Sequence, residues 1–345
     1  MRWPSLVLCC LVSVSLVAFP HPLAATAADT AARANSYDQA WRDGADGWVA
    51  RAKAILSGGN QVPGLVLWLG DSLTRDPALG AWAQGGAGKT ASDTAITNWM
   101  HAGLSPQGID SIDGFALATP YICSARSYTV GDGMGAWDFM GTSGMPALTD
   151  PSLARQTLQD CSRYNNGLDL TTILSAIPKA QFAIPLVNLL GTNPADLTNF
   201  TQMLNLLIAN HIVPIISTYT YRDIPSFNLL VDQYNVALKQ LAQTMKLPLM
   251  DLNAEMLARV PYQDWGVRYL SDGVHYTNGG GGYTSTSDPY ADGGDPATHA
   301  TGAALTYNGY GLRGWLAVQK MKQIKALVIG GGTPPAAPRN VRIVR

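Results

Sequence analysis

Residues 182–190 read FAIPLVNLL and run directly into Gly191-Thr192-Asn193. A continuous apolar run of that length, closed by a turn, is the pattern of a strand covered on both faces. Residues 196–210 follow with Leu197, Phe200, Leu204, Leu207 and Ile208 at helical spacing, and residues 212–217 are apolar again. The alternation continues downstream. Residues 227–245 place Leu230, Tyr234, Leu238, Leu241 and Met245 on one helical face. Residues 247–252 read as a strand, and residues 310–328 as a closing helix with Leu312, Leu316, Val318 and Ile324 apolar. Upstream, residues 65–69 form a strand. It is preceded by a helical pattern over 37–56 (Ala40, Trp41, Trp48, Ala52, Ile55, Leu56) that Gly44 and Gly47 interrupt. Residues 127–130 read as a short second strand, whereas 77–115, rich in Gly, Ala and Thr, give no assignment. Strand–helix alternation of this kind predicts an α/β fold, with parallel strands and helices on both faces.

Composition narrows the function. The 345 residues are 47% hydrophobic and 14% charged, with a net charge of -1. A sizeable core is therefore expected, and there is no basic surplus to neutralise phosphates, which argues against nucleic acid as a partner. Residues 1–27 have the layout of a secretory signal: Arg2, an apolar stretch over 6–19, and the small-x-small site Ala25-Thr26-Ala27. That stretch is shorter than the ~20 residues needed to span a bilayer, and no other segment is long and apolar enough. The expectation is a secreted or periplasmic chain without a membrane span. Cys123 and Cys161 remain after cleavage and are expected to form one disulfide. By the chain-entropy model it would contribute about 4 kcal/mol, less any strain. The working division is one large domain over 28–329, with a Gly-rich, aperiodic insertion over 277–306, then a Gly/Pro linker and strand-like tail over 330–345.

Three short motifs carry chemistry. Gly70-Asp71-Ser72 follows the apolar strand at 65–69, so Ser72 falls at a strand's carboxyl end, where open α/β sheets bind ligands. A serine nucleophile needs a base. Of the five histidines, His21 leaves with the signal, His211 suits a packing or capping role, His101 and His299 lie in unassigned segments, and His275 follows Asp272 by three residues. In one tight turn Asp272 can hold the Nδ1 proton of His275 and leave Nε2 as base. Asn193, at the end of another strand, can donate its amide to a developing oxyanion, an interaction worth ~3 kcal/mol of barrier; the competing role is a helix cap.

Gly70-Asp71-Ser72-Leu73, Gly191-Thr192-Asn193 and Asp272-Gly273-Val274-His275, in that order, resemble the motif blocks of the SGNH (GDSL) hydrolase family. The resemblance covers roughly residues 60–328. It implies a three-layer α/β/α sandwich with a flavodoxin-like, mostly parallel five-stranded sheet. It implies Ser72 as nucleophile, His275 as base and Asp272 as its partner. The oxyanion hole would comprise the backbone amides of Ser72 and Gly133 and the side chain of Asn193. Gly133 is taken as the glycine after the second strand because residues 137–140 then fall in the following helix; Gly135 is the fallback. Pro194 departs from the family, which often has Asp there.

No cofactor or metal is called for. Asp288, Asp292 and Asp295 lack the spacing of an EF-hand loop and read as solvated turns. Gly88-Lys89-Thr90 mimics the end of a phosphate-binding loop but has Ala83 where that motif needs glycine. Ser72 has no Gly-x-Ser-x-Gly context. The expected function is a secreted serine esterase that removes short acyl groups, such as O-acetyl, from carbohydrate. The alternatives are a lipase or lysophospholipase, and a non-catalytic glycan-binding module on the same fold.

Overall fold

The computed structural model describes residues 35–70, 73, 78–100, 136–138, 180–186, 194–260, 268–297 and 299–330. At its centre is strand β1 (Val62–Gly70), flanked on both sides by parallel neighbours, β2 (Ala136–Asp138) and β3 (Ala180–Leu186). Gly70 pairs with Asp138 on one side and Leu186 on the other, so these three strands end level. Strand β4 (Val213–Pro214) joins the far side of β3, also parallel. A single residue, Ile215, separates it from β5 (Ile216–Ser217), which pairs in parallel with β6 (Leu249–Met250). The Ile215 N–H donates to the Ala183 carbonyl at 2.7 Å, and the Ile216 N–H donates to that of Pro248 at 2.9 Å. Phe182, Ala183 and Ile184 are all buried, as are Val213, Ile215 and Ile216. Burial of consecutive rather than alternate residues means that both faces of these strands are covered.

The covering helices follow from the apolar spacing. Helix α4 (Pro194–Ala209) buries Phe200, Met203, Leu204 and Leu207. Helix α5 (Pro225–Met245) opens on proline, buries Val231, Tyr234, Leu238 and Ala242, and stops at left-handed Lys246. Helix α7 (Gly309–Ile324) is the closing helix expected at 310–328; nearly its whole circumference is buried, and it continues as a π-helical turn, Lys325–Ile329. Its buried cations Arg313 and Lys320 find partners inside. Fully buried Lys320 reaches Asp38 at 2.9 Å and Gln323 at 2.8 Å, and Asp38 also accepts the Leu249 N–H. A buried charge persists only with such compensation.

Several expectations are corrected. The helix expected at 37–56 is two pieces, a 3-10 turn at Gln39–Trp41 and α1 (Trp48–Leu56). Gly44 has φ +89°, and a Cβ on Gly47 would overlap the Arg42 carbonyl. The unassigned 77–115 segment contains α2 (Ala78–Gly85) and α3 (Ala91–Trp99). The phosphate-loop mimic joins them: Lys89 donates to the last carbonyls of α2, and Thr90 caps α3 in a reciprocal box with Asp93. Trp137 and Asp138, read as helical, lie in β2 beside β1. The strand expected at 247–252 is short, because Asp251 caps a further helix, α6 (Leu252–Arg259).

The Gly-rich insertion is docked. It opens with a hairpin, β7 (Gly279–Gly280) and β8 (Tyr283–Thr284), whose turn residues Gly281 and Gly282 both have positive φ, as a tight hairpin requires. Beyond it, the Thr286 carbonyl accepts from the Ala87 N–H, and Tyr290 is buried edge-on to Trp82. Among the described residues no helix is long and apolar enough to cross a membrane. Residues 1–27 and 127–130, the pair Cys123 and Cys161, and the tail beyond Gly330 lie outside the described residues.

Candidate active site

Asp272 and His275 occupy a turn closed by the Leu270–Tyr276 bridge, by the Ser271 N–H donating to the His275 carbonyl (2.8 Å), and by the Thr277 N–H donating to that of Tyr269 (2.8 Å). Gly273 supplies the left-handed residue the turn needs, at φ +83°. One oxygen of Asp272, Oδ1, accepts the backbone N–H groups of Val274 (3.0 Å) and His275 (2.7 Å). The other, Oδ2, engages His275 Nδ1 at 2.6 Å. These bonds, first the backbone N–H of His275 and then its ring, hold the Asp272 carboxyl down at about 2. The carboxylate is therefore ionised at any ordinary pH and keeps the ring proton on Nδ1, so the lone pair sits on Nε2. The dyad is open to solvent, with side chains 40% exposed for His275 and 55% for Asp272.

The turn is fastened to the segment that leaves β5. The Asp223 N–H donates to the Gly273 carbonyl at 2.9 Å, and Thr220 Oγ1 lies 2.6 Å from Tyr276 Oη, both side chains buried. The dyad thus stands beyond the carboxyl end of β5, and β1 and β3 end at Gly70 and Leu186 in a level row. Sequence reasoning missed Thr220, Asp223 and Tyr276. The position of Thr220 and Asp223 just past the end of β5, and of Tyr276 next to His275, was a usable signal, but their contacts with one another were not.

Ser72 and Asp71 lie outside the described residues, as do Asn193, Gly133 and Gly135. Their described neighbours are informative. Gly70 is the last residue of β1, and buried Leu73 has its carbonyl held by Arg313 Nη1 at 2.8 Å; the Arg313 guanidinium stacks on Trp68 at 4.4 Å. Asn193 immediately precedes α4, which opens on Pro194. With β2 at Ala136–Asp138, both Gly133 and Gly135 come before that strand. The first glycine after it in the sequence is Gly141.

The remaining histidines divide. His211 Nδ1 lies 2.9 Å from the Ile55 carbonyl, a packing role as its sequence context indicated. His299 belongs to a buried cluster around Asp93, in which Lys322 forms an ion pair with Asp93 and lies 3.3 Å from His299 Nδ1. His101 lies outside the described residues. Asp288 and Asp295 accept the backbone N–H groups of Tyr290 (2.8 Å) and Ala297 (2.9 Å), and Asp292 accepts from the Tyr283 hydroxyl. Among the described residues no group of His, Cys, Asp or Glu is placed to hold a metal ion. No family model matches the chain, and no curated protein or solved structure matches it either.

Proposed function

We propose that the protein is an exported serine ester hydrolase of the SGNH type, acting on short acyl groups, such as O-acetyl, carried by carbohydrate. The observation that carries this reading is the Asp272–His275 dyad, in which one carboxylate grips both the imidazole Nδ1 and the backbone N–H of the same histidine. That double hold fixes tautomer and ring orientation together, the orienting role of a triad aspartate. Level strand ends at Gly70 and Leu186 support it, because Ser72 and Asn193 follow those strands in the chain. The two short parallel sheets would continue through Ile215 into one flavodoxin-like, five-stranded sheet between helical layers. Residues 1–27 would direct export, and Cys123 and Cys161 would pair in that oxidising setting.

In the reaction, Ser72 Oγ attacks the ester carbonyl carbon and its proton passes to His275 Nε2. The carbon–oxygen bond to the alcohol breaks, and His275 returns the proton to the departing alkoxide. His275 then takes a proton from water, hydroxide attacks the acyl group, and the acid leaves as Ser72 recovers its proton. The oxyanion is held by the Ser72 amide, the Asn193 side chain and a glycine amide. Gly141 replaces Gly133 in that last role, since it is the first glycine after β2.

The test is labelling of the full chain with a fluorophosphonate, together with acid release from acetylated polysaccharides and from lipids. Labelling lost in Ser72→Ala, with acetate released from polysaccharide, is the expected result. An unlabelled wild-type chain removes the hydrolase reading. Turnover that rises with acyl chain length moves the substrate to lipid.

A further inference from the structure

We infer that Thr220 and Tyr276 form a buried strut that positions His275, so that both act on the proposed hydrolysis without touching the substrate. This rests on the esterase reading for its consequence but not for its geometry. The dyad itself is solvent-exposed and sits on a turn with a left-handed glycine at its centre. Nothing in the Asp272–His275 contact prevents the whole turn from swinging, because both partners ride on it. Anchorage must come from outside, and the segment leaving β5 provides it twice.

The first anchor is the side-chain pair. Tyr276 directly follows His275, and its hydroxyl meets that of Thr220, the third residue past β5, at 2.6 Å. Both residues are almost fully buried, so the bond is shielded from water. The Tyr276 ring is gripped edge-on by Tyr310 at 5.2 Å, and Gly309 leaves it room, since a Cβ there would come within 2.9 Å of the Tyr276 Cβ. The second anchor is the 2.9 Å bond from the Asp223 N–H to the Gly273 carbonyl, in the middle of the dyad turn. The same four-residue stretch, 220–223, therefore holds the turn from behind His275 and at its apex. A base displaced by about 1 Å can lose ~100-fold in rate. The strut is thus a determinant of turnover.

The experiment compares the full-length wild type with Tyr276→Phe, Thr220→Val and Thr220→Ser, the last keeping a hydroxyl. Hydrogen exchange is read at the amides of Val274, His275 and Asp223, and hydrolysis of p-nitrophenyl acetate is measured in parallel. In Tyr276→Phe and Thr220→Val, exchange at those amides should speed by at least ~10-fold while amides of α7 stay protected. In the same variants kcat should fall by about 10- to 100-fold with KM unchanged, and Thr220→Ser should behave as wild type. A purely structural role would lower the melting temperature without this split between kcat and KM. Unchanged exchange at the dyad amides in both hydroxyl-free variants overturns the strut, whatever the activity. A wild-type chain that neither hydrolyses esters nor reacts with fluorophosphonate removes the esterase reading instead, and the exchange data still decide the strut.

Discussion

Replacing Asp93 with alanine should remove a substantial part of the protein's margin of stability. Asp93 is fully buried at the start of α3, and its Oδ2 accepts the Thr90 N–H (3.0 Å), the Thr90 hydroxyl (2.7 Å) and the Tyr290 hydroxyl (2.8 Å). Its Oδ1 pairs with Lys322, which is itself largely buried. The substitution removes the Asp93 half of the capping box, at most about 1 kcal/mol since Thr90 still caps the backbone, and strands a buried ammonium, costing about 3–5 kcal/mol. Both losses run through one carboxylate, so the sum is not additive, and we expect about 4 kcal/mol of a total that for such domains is ~5–15 kcal/mol. Lys322→Met leaves the carboxylate its three other donors and should lose only about 1–2 kcal/mol. The decisive comparison is the double variant Asp93→Ala/Lys322→Met, which should be more stable than Asp93→Ala alone because no charge is left stranded. Urea unfolding monitored by tryptophan fluorescence measures all three. A loss below about 1 kcal/mol in Asp93→Ala, or a double variant weaker than both singles by their sum, would refute the reasoning. The pH dependence has a fixed sign. Burial pushes the Asp93 carboxyl up, but Lys322, Thr90 and Tyr290 together outweigh it and hold it below its ordinary value. Its contribution is present above the ordinary carboxyl value and is lost as the pH falls below that value through the depressed folded-state value.

Three shorter expectations follow from the same structure. Gly314→Ala places a Cβ into the Leu79 carbonyl where α7 crosses α2, and backbone cannot yield, so thermal melting should show a loss of at least about 2 kcal/mol; an unchanged melting curve would contradict that close approach. The Asp272 carboxyl should titrate at about 2 by carbon-13 NMR, its small stabilising effect being present above the ordinary carboxyl value and fading as pH falls toward 2; a midpoint near the ordinary value would mean that its three N–H donors are not engaged in solution. Burial, and then the Lys322 charge, push the His299 imidazole below its ordinary 6.5, so the unfolded chain takes up this proton first and stability falls as pH drops through 6.5. In His299→Gln that step should vanish from a stability–pH curve, and its persistence would assign the step elsewhere.

What could be read from the sequence was local. The run at 182–190 announced a strand covered on both faces, and the spacing of Phe200, Leu204 and Leu207 announced the helix that covers it. Both signals arise from residues within a few positions of each other. The Asp272–His275 contact was legible for the same reason, since four consecutive residues of one turn contain both partners. Where the local signal was faint, the reading failed. Residues 137 and 138 look helical in isolation but extend β1 edge to edge, because ladder bonds to a strand 68 positions earlier decide their conformation. Helices α2 and α3 emerge from a stretch of small residues, stabilised by burial of Leu79, Trp82 and Ile96 rather than by their own periodicity.

The sequence by itself therefore determined the α/β alternation and the pairing of Asp272 with His275, because the forces that set them act over one turn or one strand. Only the tertiary structure decided how that pair is held and what the Gly-rich insertion does. Thr220 with Tyr276, Lys320 with Asp38 and Tyr290 with Asp93 join positions 56, 282 and 197 residues apart. Each such bond depends on water being excluded by packing from both sides, which no stretch of sequence carries alone.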